Sequence, residues 1–184
     1  MFAGPYIVWM LIFILSPMLL ILYYAFTSDG SFTLQNLVAA AQVGNIKVLL
    51  DSIRLALYTT VLCLLLGYPV AYLLSRMKKA VATLLSVFFI VPMWMNSLLR
   101  TYAWKALLGA FTDILYTEAA VLLGMVYNFL PFMILPIYTV LMKLDKSYIE
   151  AAQDLGANGP LTFLRVVLPL SVSGIVSGVT MVFI

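Results

Sequence analysis

The sequence predicts an all-α, polytopic membrane protein, and three observations carry that prediction. Hydrophobic residues make up 65% of the chain and charged residues only 9%, against about half and about a quarter in soluble domains. The apolar residues gather into runs long enough to cross a bilayer, since a helix rising about 1.5 Å per residue needs about 20 of them. Prolines, aromatics and short polar breaks punctuate those runs where kinks and membrane interfaces belong. The mean hydropathy is +1.12.

The same composition excludes several classes. A net charge of +3 without a basic run gives no support to nucleic-acid binding. The chain has no histidine, which removes the commonest general base and metal ligand. Its one cysteine, Cys63, lies inside an apolar run and cannot form an internal disulfide. The first apolar stretch lacks a basic leader and a small-residue cleavage site, so it is expected to stay as a spanning helix rather than a signal peptide.

In order, the first span is expected over Pro5–Phe26, kinked at Pro17 and ending near Tyr23 and Tyr24. Residues Thr27–Asp51 form a loop, opened by the turn signal Ser28-Asp29-Gly30. A short surface helix is expected over part of Leu34–Leu50. The second span is Ser52–Ser75, with Arg54 snorkelling near its start and a bend expected at Gly67 and Pro69. The basic turn Arg76-Met77-Lys78-Lys79 follows, and the positive-inside rule places it in the cytoplasm. The third span, Ala80 to about Met95, ends near Pro92 and Trp94. Asn96–Thr117 is expected as an external segment carrying Arg100, Lys105 and Asp113. The fourth span is Glu118–Met142, with Pro131 and Pro136 inside it. Residues Lys143–Leu168 make a second inner loop, and Pro169–Ile184 begins a fifth span that is cut short. The whole, residues 1–184, is expected as one transmembrane domain, incomplete at its C-terminus.

The second inner loop is the polar exception in an apolar chain. A helix over Asp145–Leu155 puts Tyr148, Ile149, Ala152 and Leu155 on one face, with Glu150, Gln153 and Asp154 largely on the other. Gly156 stands at the natural stop, where a left-handed residue costs least. Asn158-Gly159 makes a second break, and Pro160 suits the first position of a new helix. Ser147-Tyr148-Ile149-Glu150 has capping-box spacing, with Glu150 reaching back to the N–H of Ser147. Such a hinged helix, with small Ala151 and Ala152 allowing close approach, can dock into a groove of a soluble protein.

The spacing Glu150-Ala151-Ala152, Gly156, Val166 and Leu168-Pro169 resembles the signature of ABC importer permeases, with Val166 where isoleucine is usual. Residues Val91–Trp104 and Leu115–Asp145 resemble the permease subunits of spermidine/putrescine importers, and the likeness runs from Gly4 onward. The resemblance implies a type I ABC importer transmembrane domain with a six-helix core, of which about five spans are present here. It implies a bacterial inner-membrane location, with loop 143–168 cytoplasmic. It implies a second permease subunit, a dimer of ATPase subunits and an extracytoplasmic solute-binding protein as partners. No cofactor is expected on this chain, with ATP and magnesium on the ATPase partner. Glu150, Ala151, Ala152, Asp154, Leu155 and Gly156 would then form the coupling helix seated in the ATPase. Two features depart from the family: the fifth span is shortened and the sixth lacking, and the segment after Gly109 is short.

For the solute pathway the candidates are Trp94, Asn96, Tyr102, Trp104, Tyr127 and Asn128. Trp94, Tyr102 and Trp104 are most simply an aromatic belt, the alternative being that they face the pathway and offer ring faces to ammonium groups. Asn128, costly to bury unpaired, suits an interhelical hydrogen bond or a place on the pathway. Arg100 reads as an interfacial anchor, and Asp113 and Glu118 as solvated acids near the outer mouth. A membrane enzyme would need a convergent nucleophile, base or metal set, and a non-transporting scaffold would not need the spaced hinge. Permeases for iron, thiamine, sulfate, molybdate or opines share the coupling pattern and remain the alternatives for substrate.

Overall fold

Two prolines set the local geometry at the two ends of the chain. Pro17 cannot donate a backbone hydrogen bond, and its ring crowds the preceding turn. The helix answers by widening just before it, with a π-helical turn over Leu11–Leu15 closed by the Ser16 N–H donating to Leu11 O. Pro169 is preceded by the same device, a π-helical turn over Phe163–Val167 closed by the Leu168 N–H donating to Phe163 O. In a membrane such adjustments keep backbone groups paired where water cannot.

The computed structural model describes residues 3–28, 31–111 and 114–184. The chain divides into two units, Met1–Ile53 and Arg54–Ile184. In the first, helix α1 runs over residues 3–26, as Ala3–Met10, the π turn and Ser16–Phe26. The window Tyr6–Phe26 is apolar and none of it is buried. Strands β1 (Thr27–Ser28) and β2 (Ser31–Phe32) pair antiparallel, and Phe26 stacks on Phe32. The Asp29-Gly30 part of the expected turn lies outside the described residues. Helix α2 (Gln35–Ala40) follows. Its Asn36 Nδ2 donates to Tyr24 O at 2.8 Å and Thr27 O at 3.2 Å, satisfying carbonyls that the end of α1 leaves open.

Helix α3 (Val43–Arg76) carries the chain from the first unit into the second. The expected loop therefore ends earlier than the sequence suggests: residues 43–51 are helical and continuous with the second span. Between Asn45 and Leu66 there is no glycine or proline, so the backbone gains by propagating rather than stopping.

In the second unit, α4 is Lys79–Trp94, α5 is Ser97–Phe111 and α6 is Glu118–Met142. The fourth span thus has the expected bounds. The segment Asn96–Thr117, expected to be external, is helical from Ser97 to Phe111. Asn96 Oδ1 accepts the Leu98 N–H at 2.8 Å, which caps a new helix, and Leu98–Ala110 is rich in good helix formers. The axis turns by 97° between Lys79–Trp94 and Ser97–Ala110. Beyond α6 come α7 (Lys146–Asp154), α8 (residues 159–170, including the second π turn) and α9 (Val172–Phe183). Among the described residues three helices are long and apolar enough to cross a membrane, and counting each bent pair as one span gives up to five.

The core of this unit lies where α3, α6 and α9 meet, and it includes Cys63, Tyr68, Ala71, Met133, Ile134, Ile137 and Val182. Met133 has no exposed surface. A Cβ placed on Gly67 would lie 3.0 Å from its Cγ, and one on Gly178 would lie 2.8 Å from its Sδ. Small residues on two helices therefore make the notch that this side chain fills, the usual way for membrane helices to approach closely. Arg54 inside α3 and Glu118 at the start of α6 form an ion pair, Nη2 to Oε1 at 2.6 Å. Glu118 is thus an ion-pair partner rather than a merely solvated acid, although both side chains are well exposed and such pairs contribute about 1 kcal/mol or less.

The glycines of α9 give a direct test. A Cβ on Gly174 would sit 3.0 Å from Ile137 Cα and 3.1 Å from Pro136 O, both backbone atoms that cannot swing aside, whereas a Cβ on Gly124 meets nothing within 4 Å. Gly174→Ala should destabilise the detergent-solubilised protein by about 1–3 kcal/mol. Gly124→Ala should be neutral or stabilise by about 0.5–1 kcal/mol, as helix glycines do when replaced without a clash. Unfolding followed by circular dichroism reads both.

Candidate functional site

The polar segment between α6 and α8 is built by three local devices. Asp145 Oδ1 accepts the Ser147 N–H at 3.0 Å and starts α7. The expected capping box is corrected here: the cap lies two residues earlier, and the Ser147 N–H that Glu150 would have taken is already used. Bonds from the Ser147 backbone and side chain hold the Asp145 carboxyl below its usual 3.8. The cap is therefore whole at neutral pH and is lost only as acid titrates through that lowered value. At the other end, the Gly156 N–H donates to Gln153 O at 2.8 Å and the Ala157 N–H to Ala152 O at 3.0 Å. Gly156 has φ +83°, so this is a Schellman stop. Asn158 Oδ1 then accepts the Leu161 N–H at 3.0 Å and starts α8. Gly159 opens that helix and Pro160 stands second, one position later than expected.

Ile149 packs against the core, and Ala152 is half-buried. Glu150, Ala151 and Asp154 are exposed. Of the four residues expected on one face, Leu155 and Tyr148 are exposed, at 89% and 58%. Leu155 is the C-cap, immediately before the left-handed Gly156. The outcome is a short helix offering two acids and two apolar groups outward together.

Phe163 in α8 ties this segment to α3. Its ring meets Tyr68 at 5.8 Å and Tyr72 at 5.2 Å, both edge-on. Nearby, Tyr68 Oη and Ser171 Oγ are hydrogen-bonded at 2.9 Å in the buried interior. Sequence reasoning passed over these contacts, although Tyr68 and Tyr72 share one face of α3 by their four-residue spacing.

The pathway candidates separate. Trp104 and Tyr127 meet edge-on at 5.3 Å. A cavity of ≈ 270 Å³ lies between α5 and α6, lined by both rings and by Arg100. A second, of ≈ 350 Å³, is lined by Trp104, Lys105, Tyr116 and Asn128. Asn128 Oδ1 is buried with no hydrogen-bond partner among the described residues, and so is Arg100 Nε. The interhelical hydrogen bond open to Asn128 is thus not formed by this oxygen within the chain. Arg100 is half-buried and lines the first cavity. Trp94, at 87% exposure, and Tyr102, at 66%, line neither cavity. Asn96 caps α5. Asp113 lies outside the described residues. Among the described residues no group of three or more histidine, cysteine, aspartate or glutamate side chains could hold a metal.

Residues 63–184 match the family model described as binding-protein-dependent transport system inner membrane component. The chain belongs to this family. It is a multi-pass permease, not itself catalytic, and a component of a multi-subunit transport system. Its fold is that of a type I ABC importer transmembrane domain. It is 37% identical to the spermidine/putrescine transport system permease protein PotB of Escherichia coli K12, over 96% of this chain and 72% of the relative. It is 38% identical to the protein of that name from Haemophilus influenzae, over 96% and 70%. The Salmonella typhimurium LT2 protein is 37% identical over 96% and 69%. These alignments run over 199 residues, more than the 184 of the permease, so the relatives carry internal residues without a counterpart here.

Gly156 is the residue of this segment whose replacement reads most simply. No atom lies within 4 Å of a Cβ there, so Gly156→Ala carries only the cost of the left-handed backbone, about 1–2 kcal/mol. Gly156→Asn should cost less, since asparagine tolerates that region. Hydrogen exchange at the Gly156 and Ala157 amides should quicken accordingly, most for alanine.

Proposed function

We propose that this permease is one transmembrane subunit of an ATP-driven bacterial importer that carries polyamines, spermidine and putrescine, into the cell. The substrate reading rests on the relatives named above, which match nearly the whole chain and carry that substrate in their names. The transport reading rests on one geometric observation: α7 is a capped, hinged helix whose Glu150, Asp154 and Leu155 point outward. A second permease subunit completes the passage, and an extracytoplasmic binding protein delivers the solute. Loop 143–168 faces the cytoplasm, where α7 seats in a cleft of a partner ATPase. That partner binds ATP and magnesium, and no cofactor is held by this chain.

ATP-driven closure of the ATPase pair pulls α7, and the Phe163 clamp passes the movement to α3 while α8 passes it to α9. Between α5 and α6, Trp104 and Tyr127 offer ring faces to a passing ammonium group, each contact being worth about 0.5–2 kcal/mol. The unpaired Asn128 Oδ1 supplies an acceptor for its N–H groups. Arg100 would repel a cation held close to it, which keeps the solute moving rather than trapped.

The test is Glu150→Ala in the assembled importer, with labelled spermidine uptake and ATP hydrolysis measured together. Membrane insertion should be unchanged. Uptake should fall by at least about tenfold, the scale of removing one charged partner from an interface, with hydrolysis uncoupled or the ATPase released. Uptake at the wild-type level would refute the coupling role. Uptake of iron, thiamine, sulfate, molybdate or an opine in place of spermidine would refute the substrate.

A further inference from the structure

A cavity of ≈ 370 Å³ opens where the α3–α4 turn meets α7. Four cationic side chains line it: Arg76, Lys78 and Lys79 from the turn, and Lys146 from the first turn of α7. Tyr72 and Ser75 add hydroxyls, and none of the lining residues is acidic. Arg76 is held in place, with its Nη2 donating to Tyr72 Oη at 3.0 Å and its guanidinium over that ring at 5.2 Å. The one acid beside Lys146 in sequence, Asp145, is engaged in capping and lines a different cavity.

The arrangement is electrostatically incomplete. Like charges around one cavity repel, and nothing in its walls offsets them. Two of the lysines also stand at the start of α4, with Lys78 as N-cap and Lys79 first in the helix. No side chain caps that end and no acid occupies the first turn. A helix start favours negative charge, so cations there gain only if an external anion joins them. The floor of the cavity is apolar, with Leu141 and Val167 among its buried walls. It sits where the long apolar helices α3 and α6 end, which places it at the membrane boundary.

We infer that this cavity binds a phosphate group, and that the phosphate is the headgroup of an anionic phospholipid. The apolar floor and the boundary position favour a lipid over free phosphate. The bound headgroup would bridge the α3–α4 turn to α7 through Lys146 and so steady the hinged segment from the membrane side. The inference is independent of the solute proposed above, and its test uses no transport.

The experiment is native mass spectrometry of the full chain released from detergent. Phosphatidylglycerol, phosphatidylcholine of the same acyl chains, and inorganic phosphate are each titrated. Phosphatidylglycerol should be retained at about tenfold lower concentration than phosphatidylcholine. Lys78→Gln, Lys79→Gln and Lys146→Gln should each weaken it roughly five-fold, the usual contribution of one basic side chain at an anionic surface. Lys143→Gln, outside this cavity, should leave it unchanged. Equal retention of the two lipids would overturn the inference, and this comparison on the wild-type chain needs no variant to fold. Unchanged phosphatidylglycerol binding in the three cavity variants would also overturn it. Saturation by inorganic phosphate with no lipid preference would reassign the site to free phosphate and end the lipid claim.

Discussion

The second unit depends on the seating of one flexible side chain. Met133, in the middle of α6, fills the notch left by Gly67 on α3 and Gly178 on α9. In lipid there is no hydrophobic gain from joining two apolar helices, so association rests on close packing and a few polar contacts. A thioether with three rotatable bonds suits an irregular gap of that kind. Because the notch is shared, α3 and α9 are held to opposite sides of the same residue. Displacing either one leaves Met133 with an unfilled side.

The polar segment is joined to that packed region at two points. Phe163 wedges edge-on against Tyr68 and Tyr72, and aromatic contacts of that geometry contribute about 0.5–1.5 kcal/mol each beyond burial. Ser171, at the break between α8 and α9, shares a buried hydrogen bond with Tyr68. Ser171 Oγ also donates to Leu168 O at 2.9 Å, so losing the shared bond would leave the Tyr68 hydroxyl unpaired in the interior, which costs more than the bond itself contributes. Ahead of these points the chain is shaped by caps at Asp145 and Asn158 and by the left-handed stop at Gly156, with Ile149 packed against the core, so α7 is shaped locally and braced at its end. This arrangement suits an element that meets another protein without losing its own form.

Much of this was legible in the residues. The fourth span was read to its end residues because Glu118–Met142 is long, apolar and flanked by polar breaks. Gly156 was read as a stop because few residues other than glycine accept a positive φ cheaply. Other features were hidden for physical reasons. Helix α5 is hard to see in the sequence because Arg100 and Lys105 interrupt its apolar run and its start rests on the single cap at Asn96. The choice of Asp145 over Ser147 as cap is a competition between two acceptors for one N–H, which spacing alone does not decide. Leu155 obeys the amphipathic pattern in sequence, but it is the C-cap of α7, just before the left-handed Gly156, and is exposed. The Met133 notch and the Phe163 clamp join residues far apart along the chain, and single-sequence periodicity holds no trace of them. Among the pathway candidates, the structure gathers Trp104, Tyr127 and Asn128 around neighbouring cavities and leaves Trp94 and Tyr102 outside.

The central claim is that α7 and α3 move as one body because the aromatic clamp binds them. Nitroxide labels at Leu155→Cys and Met77→Cys in the assembled importer measure that distance by pulsed electron resonance, and the native Cys63 is buried away from the label. The account predicts one narrow distance distribution, the same with and without ATP. A distribution that shifts or broadens when ATP is added would show α7 sliding past α3, and would contradict it.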